Sequence, residues 1–256
     1  DDLPEVIYAR EYDAAISPNG NIPVHAFNLI SPTFFANSST GNKYSLWVNV
    51  YGVSERYLNV YGEKDLRAQM NQFFHRTYTH PVDGTTLDMK MLCNWYWYDE
   101  TAILETGKGT KDWNFYRYAE TLLSAAEAIA QSSGVNAEAA GYLAQVKARA
   151  NMEGKDVSTI ASELQRLGKQ AFIEECWKER LREFPLEMKI WDDCVRTGKF
   201  PQISATNKGE VQFVDLIGAK NGSGATFKAT DLYWPIPVNE IQRNPNLTQN
   251  EGYSAK

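Results

Sequence analysis

The fold of this chain is decided by the stretch Tyr116-Arg117-Tyr118-Ala119-Glu120-Thr121-Leu122-Leu123-Ser124-Ala125-Ala126-Glu127-Ala128. Its apolar residues recur three and four positions apart, which is the spacing of a helix with one buried face. A second amphipathic stretch, with Ala140, Leu143 and Val146 on one side, follows a loop at Gly134 and a potential cap at Asn136. We therefore predict an antiparallel helical hairpin. Because one hairpin cannot bury its own apolar face, it needs further partners, within this sequence or outside it.

Two more helices are predicted after the hairpin. The first begins at Asp156 or Ser158 and runs to Arg180, and its last charged residues, 174–180, suit a solvated flank. Pro185 ends this helix because proline lacks an N–H and crowds the preceding turn. The second begins near Leu186 and ends at Gly198. Its buried residues are expected to be Met188, Trp191 and Val195.

Outside the helices, the pattern favours short strands and loops. Strands are expected at 6–12, 73–78 and 89–98, with weaker strand character at 211–217. In the third of these, Trp95 and Trp97 share one face, which we expect to meet the core. Core positions are also expected for four further tryptophans, Trp113, Trp177, Trp191 and Trp234. The apolar C-terminal tail is expected to pack onto the helices.

Composition excludes several classes of function. The net charge of −6 argues against nucleic acid as a partner, because phosphate binding needs a basic face. No apolar run reaches the roughly 18 residues of a membrane-spanning helix. The three cysteines lack the spacing of a zinc site, and Gly107-Lys108-Gly109-Thr110 lacks the strand-to-helix context of a phosphate-binding loop. We expect neither a cofactor nor a metal, although loop carboxylates and amides could hold calcium.

Three motifs in the later part of the chain resemble the SusD/RagB family of surface glycan-binding lipoproteins. The motifs are Arg117-Tyr118-Ala119-Glu120-Thr121-Leu122-Leu123, Glu179-Arg180-Leu181-Arg182-Glu183-Phe184, and Leu232-Tyr233-Trp234-Pro235-Ile236-Pro237 with Asn244-Pro245-Asn246-Leu247. Asp65-Leu66-Arg67 resembles a further element of the family. Where the family usually has Glu-Gly followed by His and Arg, this chain has Glu187-Met188-Lys189-Ile190.

The resemblance implies a mainly α fold, a tetratricopeptide-like helical scaffold with long irregular loops and a few short strands. The whole chain, 1–256, would be the C-terminal portion of such a domain. It would comprise a loop-rich aromatic region (1–115), a helical block (116–198) and a loop with a packed tail (199–256). The resemblance further implies oligosaccharide binding at the outer-membrane surface and delivery to a SusC-like TonB-dependent transporter. Membrane attachment would be through a lipid anchor on an N-terminal part absent from this chain.

Residues 20–52 are the predicted glycan site. This segment has little helical periodicity and is rich in aromatic residues, and long irregular segments that are ordered are usually functional. Sugar rings present flat C–H faces that stack on aromatic rings, while amides meet their hydroxyl groups. The candidate ligand-binding residues are Trp47, Tyr44, Tyr51, Phe34, Phe35 and Asn49. No catalytic residue and no metal ligand is assigned.

Two other functions stay open. A glycoside hydrolase would need two carboxylates flanking a cleft, and Asp99-Glu100 and Asp192-Asp193 are the candidate acids. Adjacent acids point in different directions, which favours a protein that is not an enzyme. A helical-repeat adaptor binding a peptide would need the hairpin to recur in register, and the sequence contains only one clear hairpin.

Overall fold

The computed structural model describes residues 4–13, 15–16, 53–81, 84–100, 110–185 and 187–254. It consists of two compact units, one formed by residues 1–189 and 203–211 and the other by residues 190–202 and 212–256. The first unit contains most of the helices and the main apolar core.

The predicted hairpin lies at the centre of the first unit. Helix α1 spans Tyr118–Ser133 and helix α2 spans Ala137–Arg149. Asn136 caps α2, because its Oδ1 accepts a hydrogen bond from the backbone N–H of Ala139 at 2.9 Å. Helix α1 begins two residues later than predicted, because Tyr116 and Arg117 belong to a strand. The predicted apolar face is buried throughout.

The partners that the hairpin needs lie within the chain. Helix α3, Val157–Leu164, packs on α2, and helix α4, Lys169–Glu183, packs on α1. The prediction of one continuous helix here was wrong. The backbone of Gly168 is extended (φ −64°, ψ 156°), and this break lets the two segments pack against different helices of the hairpin. Asp156 is the cap of α3, through the N–H of Thr159.

The prediction of a solvated flank at the end of α4 was also wrong. Within the predicted flank Glu179 is 0% exposed and Arg180 is buried, and beyond the flank Arg182 and Glu183 are buried as well. Charged side chains enter a core only when they are paired, and each of these residues forms an ion pair. Helix α4 ends at Glu183, just before Pro185.

Two antiparallel ribbons flank the helices of the first unit. Strands β1 (Val6–Arg10) and β4 (Trp113–Arg117) pair with Val6 opposite Arg117 and Arg10 opposite Trp113. Strands β2 (Phe74–Thr79) and β3 (Thr86–Asn94) pair with Phe74 opposite Asn94. The strand predicted to reach Tyr98 ends four residues earlier, so Trp95 and Trp97 do not share a strand face.

The second unit is small and contains short elements. These are helix α5 (Ile190–Thr197), strands β5 (Lys199–Ile203) and β6 (Val211–Asp215), which form a two-stranded sheet, and helix α6 (Val238–Arg243). Helix α5 begins after the predicted start near Leu186, a residue outside the described part.

Three predicted core positions near or within this unit are exposed. Met188, which precedes α5 with φ 58°, is 65% exposed, and Val195 on α5 is 37% exposed. Trp234 in the tail is 83% exposed. Helix α5 is short and has one buried residue, Cys194. Its other apolar side chains are therefore partly or fully exposed.

Candidate functional site

Three half-buried rings form an aromatic surface beside the β2–β3 ribbon. The ring of Trp95 stacks on His75, with centroids 3.9 Å apart and planes 9° apart, and on Tyr98, at 5.0 Å and 15°. We call His75, Trp95 and Tyr98 the ring ladder. Their nearly parallel planes make a rigid aromatic stack, and the ring faces that the stack leaves uncovered are of the type on which the C–H face of a sugar stacks.

The end of strand β3 creates the ring ladder. The N–H of Trp95 donates to the backbone oxygen of Phe73 at 2.8 Å, which holds the last turn of the ribbon. The N–H of Tyr98 then donates to the oxygen of Trp95 at 3.0 Å, which closes a turn and brings the Tyr98 ring onto Trp95. A strand continuing to residue 98 would separate these two rings, since successive side chains alternate across a strand.

The ring ladder is uncharged at neutral pH. Burial lowers the pKa of His75, with partial compensation from a hydrogen bond to the backbone of Gln72. Burial raises the pKa of Tyr98 far above its usual value, and neighbouring Tyr78 and Glu100 raise it further. The Tyr98 hydroxyl donates to Glu100 Oε2 at 3.1 Å. The surface therefore offers neutral rings with a carboxylate at one edge, a combination that suits a neutral, hydroxyl-rich ligand.

A second ring pair is formed by Trp97 and Trp113. Trp97 is 4% exposed and stacks on Trp113, with centroids 4.7 Å apart and planes 20° apart. Tyr96 packs edge-on against Trp97, and Lys111 Nζ lies 5.1 Å from the centre of the Tyr96 ring. The core position expected for Trp97 is therefore observed, whereas Trp95 remains half-buried and available at the surface.

The site residues predicted from the sequence lie outside the described residues. This applies to Trp47, Tyr44, Tyr51, Phe34, Phe35 and Asn49, and their role stays a prediction. The sequence analysis did not predict the ring ladder. The alternation of side chains along the predicted strand 89–98 assigned Trp95 to the core, and no role was assigned to His75 or Tyr98. The signal that was present is the density of rings in Trp95-Tyr96-Trp97-Tyr98.

Asp65-Leu66-Arg67 and the second family-like motif meet in a buried ionic network. Arg67 Nη2 lies 2.7 Å from Asp65 Oδ2 and 2.9 Å from Glu179 Oε1, and its Nη1 lies 2.9 Å from Glu183 Oε2. Lys147 and Arg182 pair with Glu175 at 2.5 and 2.9 Å. The charged cluster, as we call it, comprises Asp65, Arg67, Lys147, Glu175, Glu179, Arg182 and Glu183.

A second set of ion pairs joins the start of α1 to the end of α4. Arg117 Nη2 lies 2.6 Å from Glu187 Oε1, and its Nη1 lies 3.1 Å from Glu183 Oε1. Glu120 pairs with Arg180 at 3.2 Å and with Lys189 at 3.0 Å. The Arg and the Glu of the first motif thus bind residues in and just after the second, which gives both motifs a structural role.

Neighbouring cations lower the pKa values of two carboxyl groups in the charged cluster, Glu179 and Glu175. Burial alone would raise the pKa of Glu179, but Arg67, Lys147 and Arg182 together hold it well below its usual value. The pKa of Glu175 is lowered in the same way, because Lys147 and Arg182 outweigh burial. The cleft beside this cluster, about 430 Å³, is lined by charges that already neutralise one another. It therefore offers little to a neutral sugar.

Two of the four acids considered for hydrolysis, Asp99 and Asp193, have local partners. Asp99 is buried and accepts from the backbone N–H of Thr110 at 2.6 Å, and Asp193 accepts from Arg196 at 3.1 Å. The described residues contain no group of three or more His, Cys, Asp or Glu that could hold a metal ion. No described helix has both the length and the apolar character to cross a membrane.

The second unit carries its own aromatic cleft of about 460 Å³. We call it the tail cleft, and its principal lining residues are Trp191, Phe227, Asp231, Tyr233, Trp234 and Tyr253. Trp191 and Phe227 contact each other, with ring centroids 5.6 Å apart. Tyr233 is 62% exposed, so this cleft is open to solvent on the side of Tyr233 and Trp234.

A family model described as the SusD family matches residues 35–253. The chain therefore belongs to the SusD family, and the predicted resemblance is confirmed. The starch-binding protein SusD of Bacteroides thetaiotaomicron is 36% identical over 138 residues, which cover 54% of this chain and 21% of that relative.

Solved structures confirm the predicted fold class. A SusD superfamily protein from Parabacteroides distasonis is 28% identical, with a TM-score of 0.77 over 97% of this chain and 50% of that chain. The surface glycan-binding protein A of B. thetaiotaomicron, solved in complex with laminarihexaose, is 19% identical, with a TM-score of 0.59 over 96% of this chain and 52% of that chain. This chain thus spans about half the length of these neighbours.

Proposed function

We propose that this protein binds an oligosaccharide at the bacterial cell surface without altering it. Its family includes a curated relative named as a starch-binding protein, and one structural neighbour was solved with a bound glucan. Those ligands belong to those proteins. For this chain the proposal rests on the ring ladder, because a neutral, rigid and half-exposed aromatic surface matches the flat apolar face of a pyranose.

Residues 20–52 would complete the site. In this proposal the ring ladder supplies a preformed stacking surface, which lowers the entropic cost of binding. The predicted residues Trp47, Tyr44, Tyr51, Phe34 and Phe35 would supply further rings, and Asn49 would bind hydroxyl groups. Because many different sugars can stack on an aromatic ring, the polar groups around the rings would decide which glycan is preferred.

Catalysis is not part of the proposal. Glycoside hydrolysis needs one carboxyl with a raised pKa and a second carboxylate across the substrate. Asp99 and Asp193 are engaged in hydrogen bonds or ion pairs within the protein. We therefore prefer a binding protein to a glycoside hydrolase. A peptide-binding helical repeat is not favoured either, because no described helix pair other than α1–α2 suggests such a repeat.

Binding to a panel of polysaccharides tests the site. Titration calorimetry should show binding to at least one α- or β-glucan, and replacing Trp95 or Trp47 with Ala should weaken it at least tenfold, about 1.4 kcal/mol. Tyr8→Ala is the matched control, since Tyr8 is an exposed ring on the other ribbon and should leave affinity unchanged. Equal loss in the control, or no binding to any glycan, would refute the proposal. Release of new reducing ends would show that the protein is an enzyme.

We further propose that the bound glycan passes to a SusC-like TonB-dependent transporter in the outer membrane, with the protein held at the outer surface by a lipid anchor. Affinity purification from outer membranes should recover such a transporter with the full-length protein. Recovery of the protein from the cytoplasmic fraction alone would rule out this assignment.

A further inference from the structure

We propose that Glu100 is a specificity-determining residue of the ring ladder and that it restricts the site to glycans without acidic groups. Its carboxylate accepts hydrogen bonds from the hydroxyl groups of a bound sugar and repels uronic acids and sulfated sugars. This inference rests on the proposed function and names the class of glycan that the same site takes.

Glu100 lies at the edge of the ring ladder. The Tyr98 hydroxyl donates to its Oε2 at 3.1 Å, and the Tyr98 ring stacks on Trp95, so the carboxylate is held beside the stack. The Glu100 side chain is exposed, and its other oxygen, Oε1, has no hydrogen bond to any described residue. This oxygen is therefore available to a sugar that lies against the ring ladder.

Two polar atoms of the ring ladder are hydrogen-bond acceptors as well. The single proton of the Tyr98 hydroxyl points to Glu100, so this hydroxyl can only accept from a ligand. Burial lowers the pKa of His75, and the neutral ring gives its one N–H to the backbone of Gln72, which leaves the second ring nitrogen as an acceptor. A sugar hydroxyl donates to such atoms, whereas the carboxylate of a uronic acid only accepts. This edge of the site therefore matches hydroxyl groups and not acids.

The cations nearest to these rings are engaged within the protein. Arg76 on β2 has its terminal nitrogens 2.8 and 2.5 Å from the two carboxylate oxygens of Glu55. Lys111 is partly buried, donates to the backbone oxygen of Tyr96 and lies over the ring of the same residue. Within the described part of the chain, no Lys or Arg forms an ion pair with Glu100. An acidic sugar at this edge therefore meets a negative charge that no described cation compensates.

The expected repulsion is large enough to measure. Two like charges about 4 Å apart in water repel each other by about 1 kcal/mol, which is roughly a fivefold loss of affinity. An amide in place of the carboxylate carries no charge, and it is a weaker acceptor for hydroxyl groups. Both changes lower the preference for a neutral glycan over an acidic one, so this preference is the quantity to measure.

Two forms of one glucan test the proposal. The neutral glucan that binds in the polysaccharide panel is compared with the same glucan after oxidation of its C6 hydroxyl groups to carboxylates. For the unsubstituted protein, titration calorimetry at low salt should show binding of the oxidised form to be weaker by about fivefold or more. In Glu100→Gln the difference should shrink to about twofold or less.

Glu138→Gln is the matched control. Glu138 is exposed on α2 and accepts from the Tyr142 hydroxyl at 2.9 Å, so this variant loses the same charge and the same kind of hydrogen bond. Its preference for the neutral glucan should equal that of the unsubstituted protein. Equal changes in both variants would assign the repulsion to the net charge of −6 and overturn the proposal. An unchanged preference in Glu100→Gln, or equal binding of both glucan forms by the unsubstituted protein, would overturn it as well.

Salt gives an independent measurement that needs no substitution. The Debye length falls from about 10 Å at 0.1 M to about 3 Å at 1 M salt, so repulsion between exposed charges weakens over this range. The affinity for the oxidised glucan should rise toward that for the neutral glucan, whose own affinity should stay constant. A difference between the two forms that does not depend on salt would arise from shape and would overturn the proposal.

The proposed function and this inference can fail separately. If Trp95→Ala weakens binding of the neutral glucan while Glu100→Gln keeps the full preference, glycan binding by the ring ladder stands and only the role of Glu100 is wrong. If no glucan binds, or if Trp95→Ala binds as well as the unsubstituted protein, the ring ladder is not a glycan site and both are refuted.

Discussion

Individual charged residues of α4 show how the family-like motifs act. Glu179 is fully buried, and three cations, from Arg67, Lys147 and Arg182, surround it. Arg117 and Glu120 of the first motif bind Glu187, Glu183, Arg180 and Lys189. A buried ion pair adds little net stability, but removing one partner is costly because the other charge remains buried.

Replacing Glu179 with Gln should therefore destabilise the protein by about 3 kcal/mol, because Arg67 and Arg182 lose a buried counter-charge. Urea unfolding of the two proteins measures the difference. Glu163→Gln is the control, since Glu163 forms an exposed pair with Lys155 and should cost less than about 1 kcal/mol. If both variants lost the same free energy of unfolding, the burial of Glu179 would not be the cause of the loss.

The same carboxylates predict a pH dependence. The pKa values of Glu175 and Glu179 are lowered in the folded protein, so below about pH 5, near the ordinary glutamate pKa of about 4.3, the unfolded chain binds more protons. Their stabilising contribution is complete above that range and is lost as the pH falls toward the folded-state pKa. Burial raises the pKa of Glu187 despite Arg117, so this carboxyl group opposes the loss of stability at low pH.

We expect the urea midpoint to fall slightly below about pH 6.5, where the unfolded chain protonates His75 more readily than the folded protein does, and to fall steeply below about pH 5. In Glu179→Gln the fall should be shallower, because one of the buried carboxylates whose pKa is lowered is absent. Parallel curves for the two proteins would contradict the assignment.

At the scale of elements, periodicity and local signals account for most helix boundaries. The hairpin α1–α2, the caps at Asn136 and Asp156 and the end of α4 before Pro185 all follow from local chemistry. The break at Gly168 does not, because the apolar spacing continues across it. The chain must change direction there so that α3 can pack on α2 and α4 on α1. The break therefore depends on tertiary packing and not on local sequence.

Two glycines of the hairpin should respond in opposite directions to alanine. Gly134 ends α1 with φ +83°, and Gly141 lies within α2, while a Cβ added at either position would meet no other atom within 4 Å. The backbone conformation at each position therefore decides whether alanine raises or lowers the free energy of unfolding. Gly134→Ala should cost about 1–3 kcal/mol, because φ 83° with ψ 177° is a conformation that only glycine adopts readily, and Gly141→Ala should stabilise by about 0.5–1 kcal/mol. Chemical denaturation measures both, and the same sign in both variants would refute this explanation.

At the scale of the whole molecule, a bound ligand should raise the stability of the first unit. If a glycan binds only the folded protein, a concentration of 100 times its Kd should add about 2.7 kcal/mol to the free energy of unfolding. Thermal unfolding with and without the glycan measures this shift. At the same concentration, a tenfold loss of affinity in Trp95→Ala should halve the shift, to about 1.4 kcal/mol, and the shift should be unchanged in Tyr8→Ala. A shift that persists in Trp95→Ala would place the ligand elsewhere.

The candidate site was only partly predictable. A short strand with four rings at its end was visible in residues 89–98, but the position of its last residue was not, because β propensity depends on context. The turn after Asn94 places the ring of Trp95 against His75, which lies on β2 and is distant from Trp95 in the sequence. The predicted residues in 20–52 remain predictions, and they complement the ring ladder by chemical type.

The sequence alone determined the helical hairpin, the family and the expectation of an aromatic site, because periodicity, caps and motif order are local properties. Only the tertiary structure decided which charges are buried and which rings are exposed. Glu179 and Trp234 show this most clearly, since each was predicted on the opposite side of the boundary with solvent. The reason is physical: burial depends on what packs against a side chain, and the partners of Glu179 come from residues as distant as Arg67.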